Sequence, residues 1–161
     1  MDATDFKSVH PRYRTLLRVE ILLNALLAVI LAASGRFLFP EYSRLIDAGI
    51  VGLVLITALL ATIWVERRYR FTAYSVLPKE VHFRAGALWL KITSVAVNRI
   101  QHVEISQGPL ERGFGLACLI IFTAGGRGSD LTVPGLERAH AESIRDELLG
   151  RIAASEEVDG G

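Results

Sequence analysis

Between Ala48 and Val65 the chain reads AGIVGLVLITALLATIWV, without one charged side chain. Neither an amphipathic surface helix nor a half-buried strand has that composition, so the stretch must be enclosed by protein or by lipid. As an α-helix it is long enough to cross a bilayer. A second apolar stretch precedes it, Leu16 to Ser34, purest from Ile21 to Ala33 and interrupted there only by Asn24. At 1.5 Å per residue it spans roughly 28 Å, close to the hydrocarbon thickness. Arg18 and Glu20 fall in its first turn, where a long side chain snorkels to the interface. Transmembrane helices are expected at about 16–34 and 48–65, within an N-terminal segment 1–66.

Two other readings compete. A helical hairpin buried in a soluble protein has the same composition, but the remaining chain is too small to cover it. Ala32-Ala33-Ser34 resembles the exit of a signal peptide, yet the long N-terminal region of mixed charge and the second apolar stretch argue against one. Gly49 and Gly52 give the second helix a small-residue face that another helix can approach. Trp64 and Tyr69 sit at one end, as in an aromatic belt, and Phe37, Phe39 and Tyr42 occupy the expected connection at the other.

Basic residues set the orientation. Lys7, Arg12, Arg14 and Arg18 precede the first span, and Arg67, Arg68 and Arg70 follow the second, whereas the connection holds only Arg36 and Arg44. The positive-inside rule therefore predicts a multi-pass protein of the cell (inner) membrane, with both termini and the folded domain cytoplasmic.

The rest of the chain alternates as strands do. Tyr69 to Ser75 reads as an opening strand, with Thr72 to Ser75 as a candidate turn. Pro78 limits the next segment to an edge or a turn. Val81 and Phe83 alternate with His82 and Arg84, and Gly86 marks a tight connection. Leu88 to Val97 continues the pattern, with Ile92, Val95 and Val97 as its apolar positions. In Arg99 to Gly126, Ile100, Val103 and Ile105 are expected to face inward and Gln101, Glu104 and Ser106 to face water. Gly108-Pro109 breaks this strand and opens a short helical corner through Leu110, Glu111, Arg112 and Phe114, which Gly115 leaves at positive φ. The apolar run Ala117 to Thr123 comes next. Gly125-Gly126, within the glycine-rich TAGGRGSD, ends it in a hairpin connection, or alternatively forms an anion-contacting loop with Arg127. Leu131 to Val133 is expected to be the last strand, Pro134-Gly135 a turn, and Leu136 to about Ile152 a helix with Ala141, Ile144, Leu148 and Ile152 along one face. Residues 153–161 read as a disordered acidic tail.

Several of these residues carry a resemblance. IQHVEISQGPLERGFGLACL, with Tyr69-Arg70-Phe71-Thr72, Gly86-Ala87-Leu88-Trp89 and Leu131 to Leu136 (LTVPGL), resembles the pleckstrin-homology-like (PH-like) domains of the YdbS-like bacterial membrane proteins. The likeness covers most of the chain. It departs near Ala96, where the family commonly has proline. The resemblance implies a fold class: an α-helical transmembrane hairpin followed by a mainly-β PH-like domain, 67–152. That domain would be a strongly bent antiparallel sheet or barrel capped by a C-terminal helix.

Little in the sequence points to chemistry. The four histidines, His10, His82, His102 and His140, lie in separate segments without metal-ligand spacing. Ser106, Ser129 and Ser143 lack a nucleophile's elbow. Glu104 and Glu111 are explained as a charged outer face more simply than as an acid–base pair. Cys118, the one cysteine, reads as a small buried core residue. No enzyme, cofactor or metal site is expected. A net charge of +1 with interspersed signs argues against nucleic acid.

The expected function is a membrane-anchored interaction module. Its partner would be itself, another PH-like membrane protein, or both, contacted through Gln101, Glu104, Gln107, Leu110, Arg112 and Phe114. The alternative is recognition of anionic membrane lipids by Arg67, Arg68, Arg70 and Arg84, for which Lys79, Lys91 and Arg127 are further basic positions.

Overall fold

A computed structural model describes residues 6–124 and 131–159, with side chains as far as Ala154. The chain divides into two compact units: Arg14–Arg67, and the N-terminal segment through Tyr13 combined with the chain from Arg68 onward.

Two helices account for the first unit. Helix α1 (Arg12–Leu38) and helix α2 (Ser43–Phe71) are joined by a single 3-10 turn at Pro40–Tyr42. At 27 and 29 residues they are about 40 and 44 Å long, so each outruns the hydrocarbon layer and carries its charged ends beyond it. Phe37, expected in the connection, lies in α1. Only 11% of each apolar window is buried, and Leu22, Leu27, Leu31, Leu55 and Leu59 stand at least half exposed. A soluble hairpin would have enclosed these side chains; lipid is the solvent they fit.

Their polar groups are satisfied internally, as hydrocarbon requires. Thr57 Oγ1 donates to the Leu53 carbonyl, Thr62 Oγ1 to Ala58, Ser34 Oγ to Leu31 and Asn24 Nδ2 to Glu20. At one end of the hairpin Arg14 meets Glu66 at 3.4 Å, and at the other Arg36 pairs with Asp47. Among the described residues nothing packs on the Gly49 and Gly52 face: a Cβ added at either would meet nothing within 4 Å.

Among the described residues the second unit holds seven strands in two antiparallel sheets. The first sheet has the order β1 (Lys7–Ser8), β2 (Ala73–Val76), β3 (Glu80–Gly86), β4 (Leu90–Ala96). A 3-10 turn at Val97–Arg99 leads to the second sheet. Its order is β5 (Ile100–Ser106), β6 (Leu116–Thr123), β7 (Leu131–Glu137), with the short helix α3 (Pro109–Phe114) between β5 and β6. Helix α4 (Arg138–Asp159) closes the chain. The antiparallel strands thus form two sheets rather than one closed barrel.

The core lies on the inward rows of both sheets. Val81 faces Val95, and Val103 faces Ile121, which faces Leu131. Ala141, Ile144 and Leu148, at helical spacing, lay the buried stripe of α4 over it. Ile152, the fourth expected member, is half-buried. Arg138–Glu142 and Glu147–Arg151 pairs, four apart, line the outer side of α4.

The chain departs from the alternating pattern at four places. Tyr69 to Phe71 continue α2 instead of opening a strand, because extending a formed helix avoids a new nucleation step. Thr72 then closes it, its hydroxyl donating to the Arg68 carbonyl at 2.6 Å, and Ala73 to Val76 pair as β2 rather than turning. Pro134-Gly135 does not turn the chain. Leu119 pairs with Val133 but Ala117 with Leu136, so one extra residue of β7 bulges there, and the positive φ of Gly135 accommodates it. Helix α4 consequently starts at Arg138, and its backbone continues past Ile152 to Asp159. Lys7 and Ser8, read only as part of a polar leader, pair with Tyr74 and Ala73. Residues 125–130 of the glycine-rich connection lie outside the described residues.

Candidate interaction surface

Among the described residues strand β5 pairs only with β6, so its other edge carries no strand. The sequence phase breaks between Ile100 and Val103, both buried although three apart, and the register shift between Ile100 and His102 is the reason. This bulge leaves Gln101 exposed and sets His102, Glu104 and Ser106 on the outer face. There His102 Nε2 lies 3.1 Å from Glu104 Oε1, and its ring packs 5.9 Å from Phe122. Cys118, Ile120 and Phe122 continue the face across β6, each half-buried. Cys118 is therefore not the enclosed core residue expected, because its register partner Ser106 puts it on the outer row.

The corner after β5 is tightly specified. Pro109 takes the first helical position of α3, and the Glu111 carboxylate accepts the Gly108 N–H at 2.6 Å, one half of a capping box. Gly115 ends α3 at φ 68°. Gln107 Nε2 donates to the Leu116 carbonyl at 2.7 Å, tying the end of β5 to the start of β6. Of the expected contact residues, Gln101, Glu104 and Arg112 are exposed, and Gln107, Leu110 and Phe114 are half-buried. Gln107 is engaged in holding the corner.

The basic candidates are placed differently from one another. Arg67, Arg68 and Arg70 occupy the last turns of α2, where Arg67 and Arg70 are exposed and Arg68 is half-buried. Arg84 sits in mid-β3 with its guanidinium 4.8 Å over the Phe6 ring. That half-buried position separates it in character from the helix-end arginines.

Two features were not anticipated. A cleft of about 500 Å³ lies among Pro78, Lys79, Glu80, Val97, Asn98 and Arg151, whose guanidinium donates to the Leu77 carbonyl at 2.6 Å and pairs with Glu147. The β3–β4 hairpin also ends in exposed Leu88, Trp89 and Leu90. Four consecutive apolar residues after Gly86, Ala87 to Leu90, break the strand alternation, and that was the available signal. Among the described residues no three His, Cys, Asp or Glu side chains gather as metal ligands. Each histidine has its own neighbour: His10 the Arg12 amide, His82 Ser94, His102 Glu104, and His140 Tyr74.

The family described as "Bacterial PH domain" matches residues 17–152, a range that takes in most of α1, all of α2, β2 to β7 and most of α4. The chain belongs to the bacterial PH domain family. It is also 28% identical over 137 residues to the transmembrane protein YdbS of Bacillus subtilis (strain 168), covering 83% of this chain and 84% of that one. No solved structure matches it. The chain is thus a YdbS-like membrane protein with a PH-like module and two helices long and apolar enough to cross a membrane, and strand β1 lies ahead of the matched range.

Proposed function

We propose that this protein is a non-catalytic, membrane-anchored interaction module. In this reading it assembles with its own copies or with another PH-like membrane protein through β5 and the α3 corner. The open edge of β5, flanked by exposed Gln101, Glu104 and Arg112, carries the reading, because an unpaired edge with a polar outer row suits strand addition. The helical anchor confines copies to two dimensions and raises their effective concentration for one another. Basic residues flanking the hairpin support a multi-pass topology with both termini and the PH-like module at the inner face of the cell membrane.

The test is mass spectrometry of the tagged full-length protein purified from its native membranes in mild detergent, compared with Glu104→Arg/Arg112→Glu. Both positions are exposed, so the variant keeps its unfolding temperature. Recovery of a stoichiometric partner, or of self-oligomers, that the variant loses is the expected result. Equal recovery from the folded variant would remove the assignment to β5 and α3.

A second reading is recognition of anionic lipid headgroups, which the exposure of Arg67 and Arg70 at the end of α2 favours. Each adds on the order of 1 kcal/mol near an anionic surface. Arg67→Gln/Arg70→Gln would then lower the anionic share of co-purified lipid. An unchanged lipid profile excludes this reading.

A further inference from the structure

Strand β4 and the turn before it present an apolar group that none of the described residues covers. Leu88 is 81% exposed, Trp89 88%, Leu90 54% and Ile92 57%. The turn that carries them is tight, since a Cβ at Gly86 would stand 2.2 Å from the Trp89 carbonyl oxygen. Only glycine closes the hairpin this way, so the tip has a defined shape.

Register fixes which end of the sheet the tip occupies. Ala73, the first residue of β2 after α2 ends at Phe71, pairs with Arg84. Strand β3 then continues past that level through Ala85 and Gly86 to the turn at Ala87 to Trp89. The tip therefore projects roughly 10 Å beyond Ala73, at the end of the sheet where the chain enters β2. Lys91 flanks the apolar group, exposed.

We propose that this hairpin tip is a second membrane contact, with Leu88, Trp89 and Leu90 entering the headgroup–acyl boundary of the leaflet at which α2 ends. Interfacial segments bury apolar side chains to a depth of about 5–10 Å, a layer that suits a narrow tip of leucine and tryptophan. Tryptophan favours that depth, and Lys91 is long enough to return its ammonium to the phosphates. A bilayer fits the tip better than a second copy. Four side chains on a narrow hairpin fall well short of the roughly 800 Å² per partner of a stable protein interface, whereas insertion into lipid needs no complementary surface. This contact goes beyond the assembly proposed for β5 and is apolar, unlike recognition of headgroups by arginine.

The test uses full-length protein in nanodiscs of neutral phosphatidylcholine. The chain has two tryptophans, and Trp64→Phe leaves Trp89 as the reporter. Trp89 emission should be blue-shifted, strongly quenched by lipid brominated high on the acyl chain, and little quenched by aqueous acrylamide. Leu88→Glu in the same background should reverse all three effects. Emission typical of water with full acrylamide quenching would overturn the proposal. So would shielding from both quenchers that appears only in discs holding two copies, which would assign the tip to self-association. Should Trp64→Phe not fold, a nitroxide on Leu88→Cys in a Cys118→Ala background decides the matter. Greater accessibility to oxygen than to an aqueous nickel chelate supports the proposal, and the reverse order overturns it.

Discussion

Tyr13 lies across Gly135 so closely that a Cβ at residue 135 would stand 2.5 Å from its Cγ. The His10 N–H donates to the Gly135 carbonyl at 2.8 Å, so the segment leading into α1 is laid directly on the β7 bulge. Gly135 also sits at φ 70°, where any other residue is strained. Gly135→Ala should therefore destabilise the protein by about 2–4 kcal/mol, combining backbone strain with the displaced ring. Thermal unfolding in detergent measures it, and the same substitution should cost less in a Tyr13→Ala background, where the displaced ring is gone.

Tyr74 predicts a pH dependence. Its side chain is 4% exposed, and burial raises its phenol above the ordinary 10.0. In the unfolded chain the phenol ionises first, so its contribution to stability is complete below pH 10. The contribution is lost as pH rises from there through the folded value. Tyr74→Phe should flatten the decline of stability above pH 10. At neutral pH it should cost about 1 kcal/mol, through loss of the 2.6 Å contact with His140 Nε2. Denaturant unfolding at a series of pH values checks both.

Gln107 should behave as a structural residue. Gln107→Ala removes its bond to the Leu116 carbonyl and should lower stability by about 1 kcal/mol. Amide exchange should accelerate at the ends of β5 and β6 before it does elsewhere.

Leu148, on the inner face of α4, is fully buried. Leu148→Ala should cost about 2–5 kcal/mol, because the cavity opens against the sheets, whereas Leu149→Ala, on the exposed side, should change stability by under 1 kcal/mol. Unfolding midpoints of the two variants make the comparison.

Both helices were legible in the sequence because length and unbroken apolarity admit few alternatives. The α3 corner was legible because Pro109 and Gly115 each require one backbone state. Other elements misled for reasons that are local. Tyr69-Arg70-Phe71 alternates like a strand, and only continuity with α2 makes it helical. Pro134-Gly135 has the composition of a turn, and the register of β6 converts it to a bulge. Lys7 and Ser8 carry no apolar pattern at all, so their pairing depends on a partner strand far along the chain. Of the candidate site, the polar row of β5 could be read from its alternation. The engagement of Gln107 could not, since the bond joins residues on either side of the corner.

The PH-like module is completed by residues from both sides of the helical hairpin, since Lys7 and Ser8 form its outermost strand beside β2. Such a pair can form only if both ends of the hairpin emerge on one face of the bilayer. Insertion of one helix without the other would leave β1 on the far face, with Ala73 and Tyr74 unpaired on that edge. A fragment beginning at Arg67 would carry the same defect. In the proposed multi-pass topology the two-residue strand thus works as a checksum on membrane insertion, satisfied only when the chain has gone in and come back.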